Sequence, residues 1–403
     1  MDPINVVHQL NFSRSDWGGV QVQLVNFLES TAKNVAIRNF LGVDCREVHA
    51  VFTTLGAVLA AEPKNFRYWY NIAVPSVVRR LLEAQCVRRW KPDVVVNANL
   101  FGSVRAVDVA RACGAAPVYW ERGAAWFPRA KPFPEAFRTG HALLIANSQA
   151  SAAMLREVWR MDGAEICAPC VWSRHSGESE PRSLPTSRRL RIGFAARLRA
   201  FKGGVLAVHA LRDLVSRGID AELMVAGEGP DREAVEHATA SSEMTERVMM
   251  LGQADNMSAF YRSIDVLLHP ALREPYGNVC AEAAVAGVPV VATHVDGLPE
   301  VVRHGTTGLC VMPELPLSDF DGFGGNRGDV YPIVYRPERG CVGEPAVPSP
   351  KALADAVMRI IDDPQTYRRF SIAAIRHSEH EFAPKRHIDR FIELMRSAKT
   401  IVS

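Results

Sequence analysis

Residues 265–293 read DVLLHPALREPYGNVCAEAAVAGVPVVAT. A short apolar run, VLLH, has the length of a buried strand. A Pro/Gly turn follows, then the alanine-rich NVCAEAAV, then Gly287, then a second apolar run, VPVVAT. Strand, turn, helix and strand in that order predict a parallel βαβ unit. Two carboxylates bracket the helix start: Glu274 on the turn and Glu282 about one turn inside. A helix beginning near Asn278 leaves the amides of Gly277, Asn278 and Val279 without intrahelical acceptors, at the positive end of the helix dipole. Such a terminus suits a phosphate. A carboxylate does not bind phosphate, but it accepts hydrogen bonds from sugar hydroxyls, and a ribose diol is a good partner. The stretch therefore fits a ligand with a diphosphate in the middle and hydroxyl-rich groups on both sides. The plainer reading is a pair of surface glutamates on an ordinary helix start.

The same alternation extends on both sides. RLRIGFAARL, AELMVAGEG, RVMMLGQ, DVLLHPAL and VPVVAT read as strands, with helical patterns between them. In the first half INVVHQL (4–10), VDCREVHAVF, PDVVVNAN (92–99), APVYWE (116–121) and ALLIANS (142–148) read as strands. Helical patterns there include GGVQVQLVNFLESTAKN, VPSVVRRLLEAQCVRRW (74–90) and SVRAVDVARACG (103–114). The fold class predicted is α/β, with two doubly wound domains. The Ser, Pro, Arg and Glu-rich residues 172–188 mark the boundary. The expected division is 1–175, 188–376 and a C-terminal helix over 377–403 that crosses back to the first domain. An irregular insertion over 313–349 is expected within the second domain.

The 403 residues exceed one ordinary core, which agrees with two domains. Hydrophobic residues at 48% and charged residues at 23% are the mix of a globular protein. A formal net charge of +3 gives no global case for nucleic acid. No apolar run approaches the roughly 20 residues of a membrane span, and the first residues lack a signal-peptide pattern. The expected location is cytoplasmic, with peripheral contact at the inner face of the cytoplasmic membrane as an option. Arg79, Arg80, Arg88, Arg89 and Trp90 on the 74–90 helix could touch anionic lipid, or form an ordinary solvated face.

Further candidates lie at other strand ends, where open α/β sheets bind ligands. In FAARLRAFKGG, Arg197 and Lys202 precede a helix opened by Gly203 and Gly204, which makes an anion site. In SDWGGVQ, Gly18 and Gly19 open the first helix at a phosphate-turn position, although the dinucleotide fingerprint is missing. Cys167 and Cys170 form a CxxC with no second pair, and read as reduced structural thiols rather than a zinc site. Asp319 and Asp321 are a weak match to a metal clamp.

Taken together, RLRAFKGG, VAGEGP, MMLGQ, DVLLHPALREPYGNVCAEAAVAGVPVVAT, DGLPEVVRHGTTGLCV and the Gly18-Gly19 pair resemble glycosyltransferase family 4. These are retaining, nucleotide-sugar-dependent transferases of GT-B fold, with two Rossmann-like domains facing across a cleft. Glu274 and Glu282 match the family's E-x7-E element. The resemblance covers 188–312 well and the first domain in outline. It implies that Glu282 binds the donor ribose and Glu274 sits near the donor sugar. It implies that Arg197, Lys202, Gly18, Gly19 and the 277–279 amides hold the diphosphate, with Tyr276 beside them. Arg197 and Lys202 then stand where other sugar transferases use a metal, so no metal or other cofactor is expected. The implied partners are a nucleoside-diphosphate sugar and a glycan, lipid-linked or small hydroxyl acceptor. Cell-surface polysaccharide or lipopolysaccharide assembly is the implied setting.

The chain departs from the family pattern in its first domain. Many relatives carry a histidine near the donor sugar after the strand equivalent to APVYW. Here WERGAAW (120–126) offers Glu121 and Arg122 instead. Either could contact donor or acceptor, or the two could form a structural ion pair. A nucleotide-sugar epimerase and a non-catalytic nucleotide-sugar-binding subunit of a transferase complex are the competing readings.

Overall fold

A computed structural model describes residues 2–10, 19–43, 58–59, 68–69, 72–73, 75–98, 101–127, 134–172, 180–254 and 256–402. The chain forms two compact units. The first comprises Met1–Trp172 with Pro384–Ser403, and the second Ser173–Ala383.

In the first unit, β1 (Ile4–Leu10), β2 (Ile37–Val43), β3 (Val58–Leu59), β6 (Val94–Ala98), β7 (Ala116–Glu121), β8 (Leu143–Ala146) and β9 (Glu165–Ile166) make one parallel sheet. Its order is β3-β2-β1-β6-β7-β8-β9. The strands Tyr68–Trp69 (β4) and Ile72–Ala73 (β5) pair with each other as a separate antiparallel ribbon. Every residue of β6 and β7 is buried, as parallel strands covered on both faces require. The strand Ile37–Val43 was not anticipated. Exposed or half-exposed Arg38, Asn39 and Phe40 dilute its apolar pattern, and it follows directly on the preceding helix, Gly19–Thr31. The expected strand VDCREVHAVF lies, apart from Val43, outside the described residues.

The helix Pro384–Val402 packs on this sheet. Its Phe391, Ile392, Leu394, Met395 and Ala398 share a core with Val6, Val94, Val96 and Trp120. The Phe391 and Phe27 rings meet edge to face at 4.8 Å.

In the second unit, β10 (Leu190–Ala195), β11 (Ala221–Ala226), β12 (Val248–Gly252), β13 (Val266–His269), β14 (Val290–Thr293) and β15 (Gly308–Val311) are parallel, in the order β12-β11-β10-β13-β14-β15. The anticipated strands are all present here. Chain order reverses between β10 and β13, and that reversal opens the ligand crevice of a doubly wound sheet. The helix Gly204–Ser216 covers β10 and β11 through Val205, Leu206, Val208 and Leu211.

The 313–349 stretch is folded rather than irregular, which corrects the expectation. β16 (Pro313–Leu315) pairs with β19 (Val347–Pro348), and β17 (Val334–Arg336) with β18 (Cys341–Gly343), both antiparallel. Phe320 is fully buried in the second unit's core, which anchors the insertion. The strands are too short, and too rich in Pro and Gly, to show an alternating pattern.

Candidate active site

The second unit's crevice is built from two strand ends. After β10 a short 3-10 turn, Ala200–Lys202, leads to Gly203, which caps the helix Gly204–Ser216 at φ 74° with no side-chain cap. A Cβ at Gly203 would stand 2.1 Å from the Pro270 carbonyl oxygen. Only glycine allows this approach of the β10 turn to the segment leaving β13. After β13 the chain passes through Pro270 and Glu274 to Gly277, which caps the helix Asn278–Val285 at φ 104°, again with no side-chain cap. Both helices thus present their first amides without side-chain competition.

Lys202 and Glu274 meet at the mouth. Lys202 Nζ lies 2.6 Å from Glu274 Oε2, and His269 Nε2 lies 3.1 Å from the same oxygen. Burial works against the Glu274 charge. The Lys202 cation and hydrogen bonds from His269 and Lys202 outweigh it, so the carboxyl is held well below the usual range. Glu282 is partly buried and accepts from the Tyr261 hydroxyl at 2.7 Å. There burial dominates and pushes the carboxyl up, with the Tyr261 bond opposing. Arg197 is exposed, Asn278 and Val279 are half-buried, and Tyr276 is buried on the turn.

Three neighbours went unrecognised in the sequence. His269 ends β13 against Glu274, and Tyr261 holds Glu282. Asp296, fully buried at φ 47°, accepts the Glu274 amide at 2.9 Å and the Tyr335 amide at 2.7 Å. Its own amide donates to the Tyr335 carbonyl at 3.0 Å. The insertion hairpin is thereby tied to the backbone of Glu274. A carboxylate in an Asp-Gly turn is the only sequence sign of this.

In the first unit Gly19 opens the helix Gly19–Thr31, and Gly18 lies outside the described residues. Glu121 is fully buried. It accepts from the Tyr119 hydroxyl and from the amides of Gly123 and Ala125, so it closes the turn after β7. Arg122 is 8% exposed and stacks over Trp120, 4.5 Å from the ring centre. No ion pair joins Glu121 to Arg122.

The remaining candidates have local partners. Cys167 and Cys170 are buried and form no disulfide, Cys167 Sγ lies 3.7 Å from His387 Nδ1, and burial pushes both thiols up, Cys167 to about 12. Asp321 pairs with Arg327 at 2.9 Å, and Asp319 accepts from Ser318. Among the described residues no group of three or more His, Cys, Asp or Glu side chains is placed to hold a metal ion. Arg88 donates to the Ala112 carbonyl and Arg89 stacks on Trp90. The side chains of Arg79 and Arg80 lie outside the described set. No helix among the described residues is long and apolar enough to cross a membrane.

Residues 189–319, which contain this crevice, match the family model described as glycosyl transferases group 1. A Methanocaldococcus jannaschii protein described as an uncharacterized glycosyltransferase is 35% identical over 129 residues, 32% of this chain and 33% of the relative. The chain spans about a third of the length of the curated relatives first matched. A solved glycosyltransferase from Rickettsia africae superposes with a TM-score of 0.74 at 14% identity, over 99% of each chain. Anabaena HepE, solved in complex with UDP and glucose, gives 0.67 at 16%, over 98% of this chain and 100% of that one. At these identities the structures show the fold, which is α/β of the GT-B glycosyltransferase type. The matched residues begin one residue before β10 and end at Asp319, so they include Lys202, His269, Glu274, Glu282 and Asp296.

Proposed function

We propose that the chain is a retaining, metal-independent glycosyltransferase. It moves a hexose-type sugar from a nucleoside diphosphate to a hydroxyl acceptor. The observation that carries this reading is the Lys202–Glu274 pair at the point where strand order reverses, between two helix starts without side-chain caps. Backbone amides and a lysine converge there, as a diphosphate requires.

Lys202 and Arg197 neutralise the charge that builds on the departing nucleoside diphosphate as the bond from the sugar's anomeric carbon to phosphate oxygen breaks. The amides at Gly204 and at Gly277–Val279 receive the phosphate oxygens. Glu282 takes the ribose hydroxyls, with Tyr261 fixing its rotamer. Glu274 orients the sugar, and Tyr276 lies on the same turn. The acceptor oxygen bonds to the anomeric carbon on the face the phosphate leaves, so the configuration is kept, and its proton passes to the leaving phosphate. The family resemblance alone supports a setting in surface polysaccharide or lipopolysaccharide assembly, and a lipid-linked acceptor reached from the cytoplasmic side.

The test is donor turnover. The purified chain is incubated with UDP-, GDP-, ADP- and dTDP-sugars, with and without EDTA, and free nucleoside diphosphate and sugar are measured. Release from one donor series, unchanged by EDTA and lost in Lys202→Ala, is expected, with the freed sugar keeping its anomeric configuration. Conversion of the donor to an epimer without release overturns the reading in favour of an epimerase.

A further inference from the structure

Arg122 is a buried cation with no counter-charge among the described residues. It follows β7 and is 8% exposed. Among the described residues no carboxylate and no hydrogen-bond acceptor pairs with it. Its contact is the face of Trp120, itself 2% exposed, whose Nε1 also has no hydrogen-bond partner. The ionisable groups around it do not supply an anion. Burial holds the Cys167 and Cys170 thiols protonated. His8 and His387 are lowered to about 4, by burial first and in part by the Arg122 charge, so both are neutral at pH 7. Desolvation lowers Arg122 itself only to about 10, so it stays charged. An uncompensated buried charge is costly unless a partner of opposite charge completes it.

Its place in the fold suits a ligand. Arg122 stands at the carboxyl end of a parallel strand, two strands from β1 across the reversal between β1 and β6. Trp120, two residues back and so on the same face of the sheet, packs in one core with Leu24, Phe27 and Leu28 of the helix Gly19–Thr31. That helix starts at the same end of the sheet. Its Gln23 donates to the Cys170 carbonyl at 3.0 Å, beside the thiols that feel the Arg122 charge. A planar guanidinium binds a phosphate or carboxylate with two donors at once.

We infer that Arg122 holds an oxyanion, phosphate or carboxylate, carried by the acceptor. This rests on the transferase reading. In that reading the donor's diphosphate already has Lys202, Arg197 and two helix starts in the second unit. A sugar phosphate, a glycan acid or a polyprenyl phosphate would present the chemistry required.

The probe is inorganic phosphate, titrated at constant ionic strength while thermal stability and calorimetric heat are followed. It is applied to the wild-type chain, Arg122→Met and Arg122→Lys, each with and without saturating UDP, GDP, ADP and dTDP. Phosphate should raise the wild-type melting temperature, and Arg122→Met should weaken phosphate binding at least tenfold. Arg122→Lys should keep part of the response. With no ligand, Arg122→Met should melt no lower than wild type, since it removes a buried charge that has no counter-charge among the described residues. The phosphate response should persist when the nucleoside diphosphate is saturating. An equal response in Arg122→Met overturns the inference, as does a response abolished by nucleotide, which would assign Arg122 to the donor. If Arg122→Met does not fold, Arg122 is structural and the inference fails unless Arg122→Lys retains phosphate binding. Absence of any nucleotide-induced shift, with the Arg122-dependent phosphate response intact, counts against the transferase reading and not against this anion site.

Discussion

Lys202 Nζ and Glu274 Oε2 lie 2.6 Å apart, although 72 residues separate them in the chain. The two side chains are 17% and 14% exposed, so the pair is mostly desolvated, and His269 closes on the same carboxylate oxygen. The lysine proposed to meet a diphosphate is in this way held at the mouth of the crevice by the carboxylate proposed to face the sugar.

Replacing Lys202 by Ala therefore has two expected effects. Donor turnover should fall by about 10²–10³, the usual cost of losing one charge-stabilising donor. Stability should fall by about 2–3 kcal/mol, somewhat below a fully buried pair because both groups keep some solvent contact. Steady-state kinetics and thermal melts check the two separately.

The same pair sets an acid limb. Glu274 has a folded-state pKa depressed below its unfolded value, chiefly because the Lys202 charge overcomes burial. Its stabilisation is then full above the ordinary carboxylate range and is lost as pH falls through the depressed value. Lys202→Ala lets burial raise that value toward the unfolded one, so the acid loss of stability should be smaller in the variant and complete at a higher pH. Melting temperatures between pH 3 and 7 read this directly.

Glu282 should behave in the opposite sense. Its carboxyl is raised by burial, against the Tyr261 hydrogen bond. Ionising it in the folded state costs free energy once pH exceeds the unfolded carboxylate value, about 4.3. Glu282→Gln should therefore melt higher than wild type at pH 7, with the gain vanishing below about pH 4. The same variant should bind the donor at least tenfold more weakly, because the ribose loses a charged acceptor. Calorimetric titration with the donor measures the second effect.

Gly203 is fixed by contact as well as by backbone angle. At φ 74°, with the Pro270 oxygen 2.1 Å from a would-be Cβ, Gly203→Ala must displace backbone. The expected cost is about 1–3 kcal/mol. In a unit of this size that is a fall of several degrees in melting temperature.

Asp296 links the insertion to the site. Removing its carboxylate in Asp296→Ala strands the buried amides of Glu274 and Tyr335, each worth about 1–3 kcal/mol. Asp296→Asn keeps an acceptor and should lose less. Faster hydrogen exchange at those two amides, with a lower donor turnover rate, is the expected signature.

What the sequence could show follows from the range of each interaction. The second unit's sheet was legible because its strands are short, mostly apolar runs, as in Val266–His269 before Pro270 and Val290–Thr293 after Pro289. Glu274, Glu282, Gly277 and Lys202 stood out because they cluster at strand ends. Their partners did not. Tyr261 reaches Glu282 across 21 residues, and Asp296 reaches Tyr335 across 39, so only the folded chain brings them together. The strand Ile37–Val43 was hidden by polar residues at its exposed positions. The antiparallel pairs of the insertion were hidden by strands of two or three residues. Glu121 and Arg122 were adjacent in the sequence but have separate roles in the fold, one satisfied by a turn and the other stacked on Trp120 with no carboxylate partner among the described residues.

The most direct measurement is thermal stability against UDP, GDP, ADP and dTDP and their common sugars, with and without EDTA. Binding to the folded state alone raises stability by mass action, by about 2.7 kcal/mol at a hundredfold excess over Kd. The account predicts a rise with one nucleotide series that survives EDTA and shrinks in Glu282→Gln and Lys202→Ala. No rise with any nucleotide, or a rise that EDTA removes, would contradict a metal-free donor site at Lys202, Glu274 and Glu282. It would turn attention to Asp319 and Asp321.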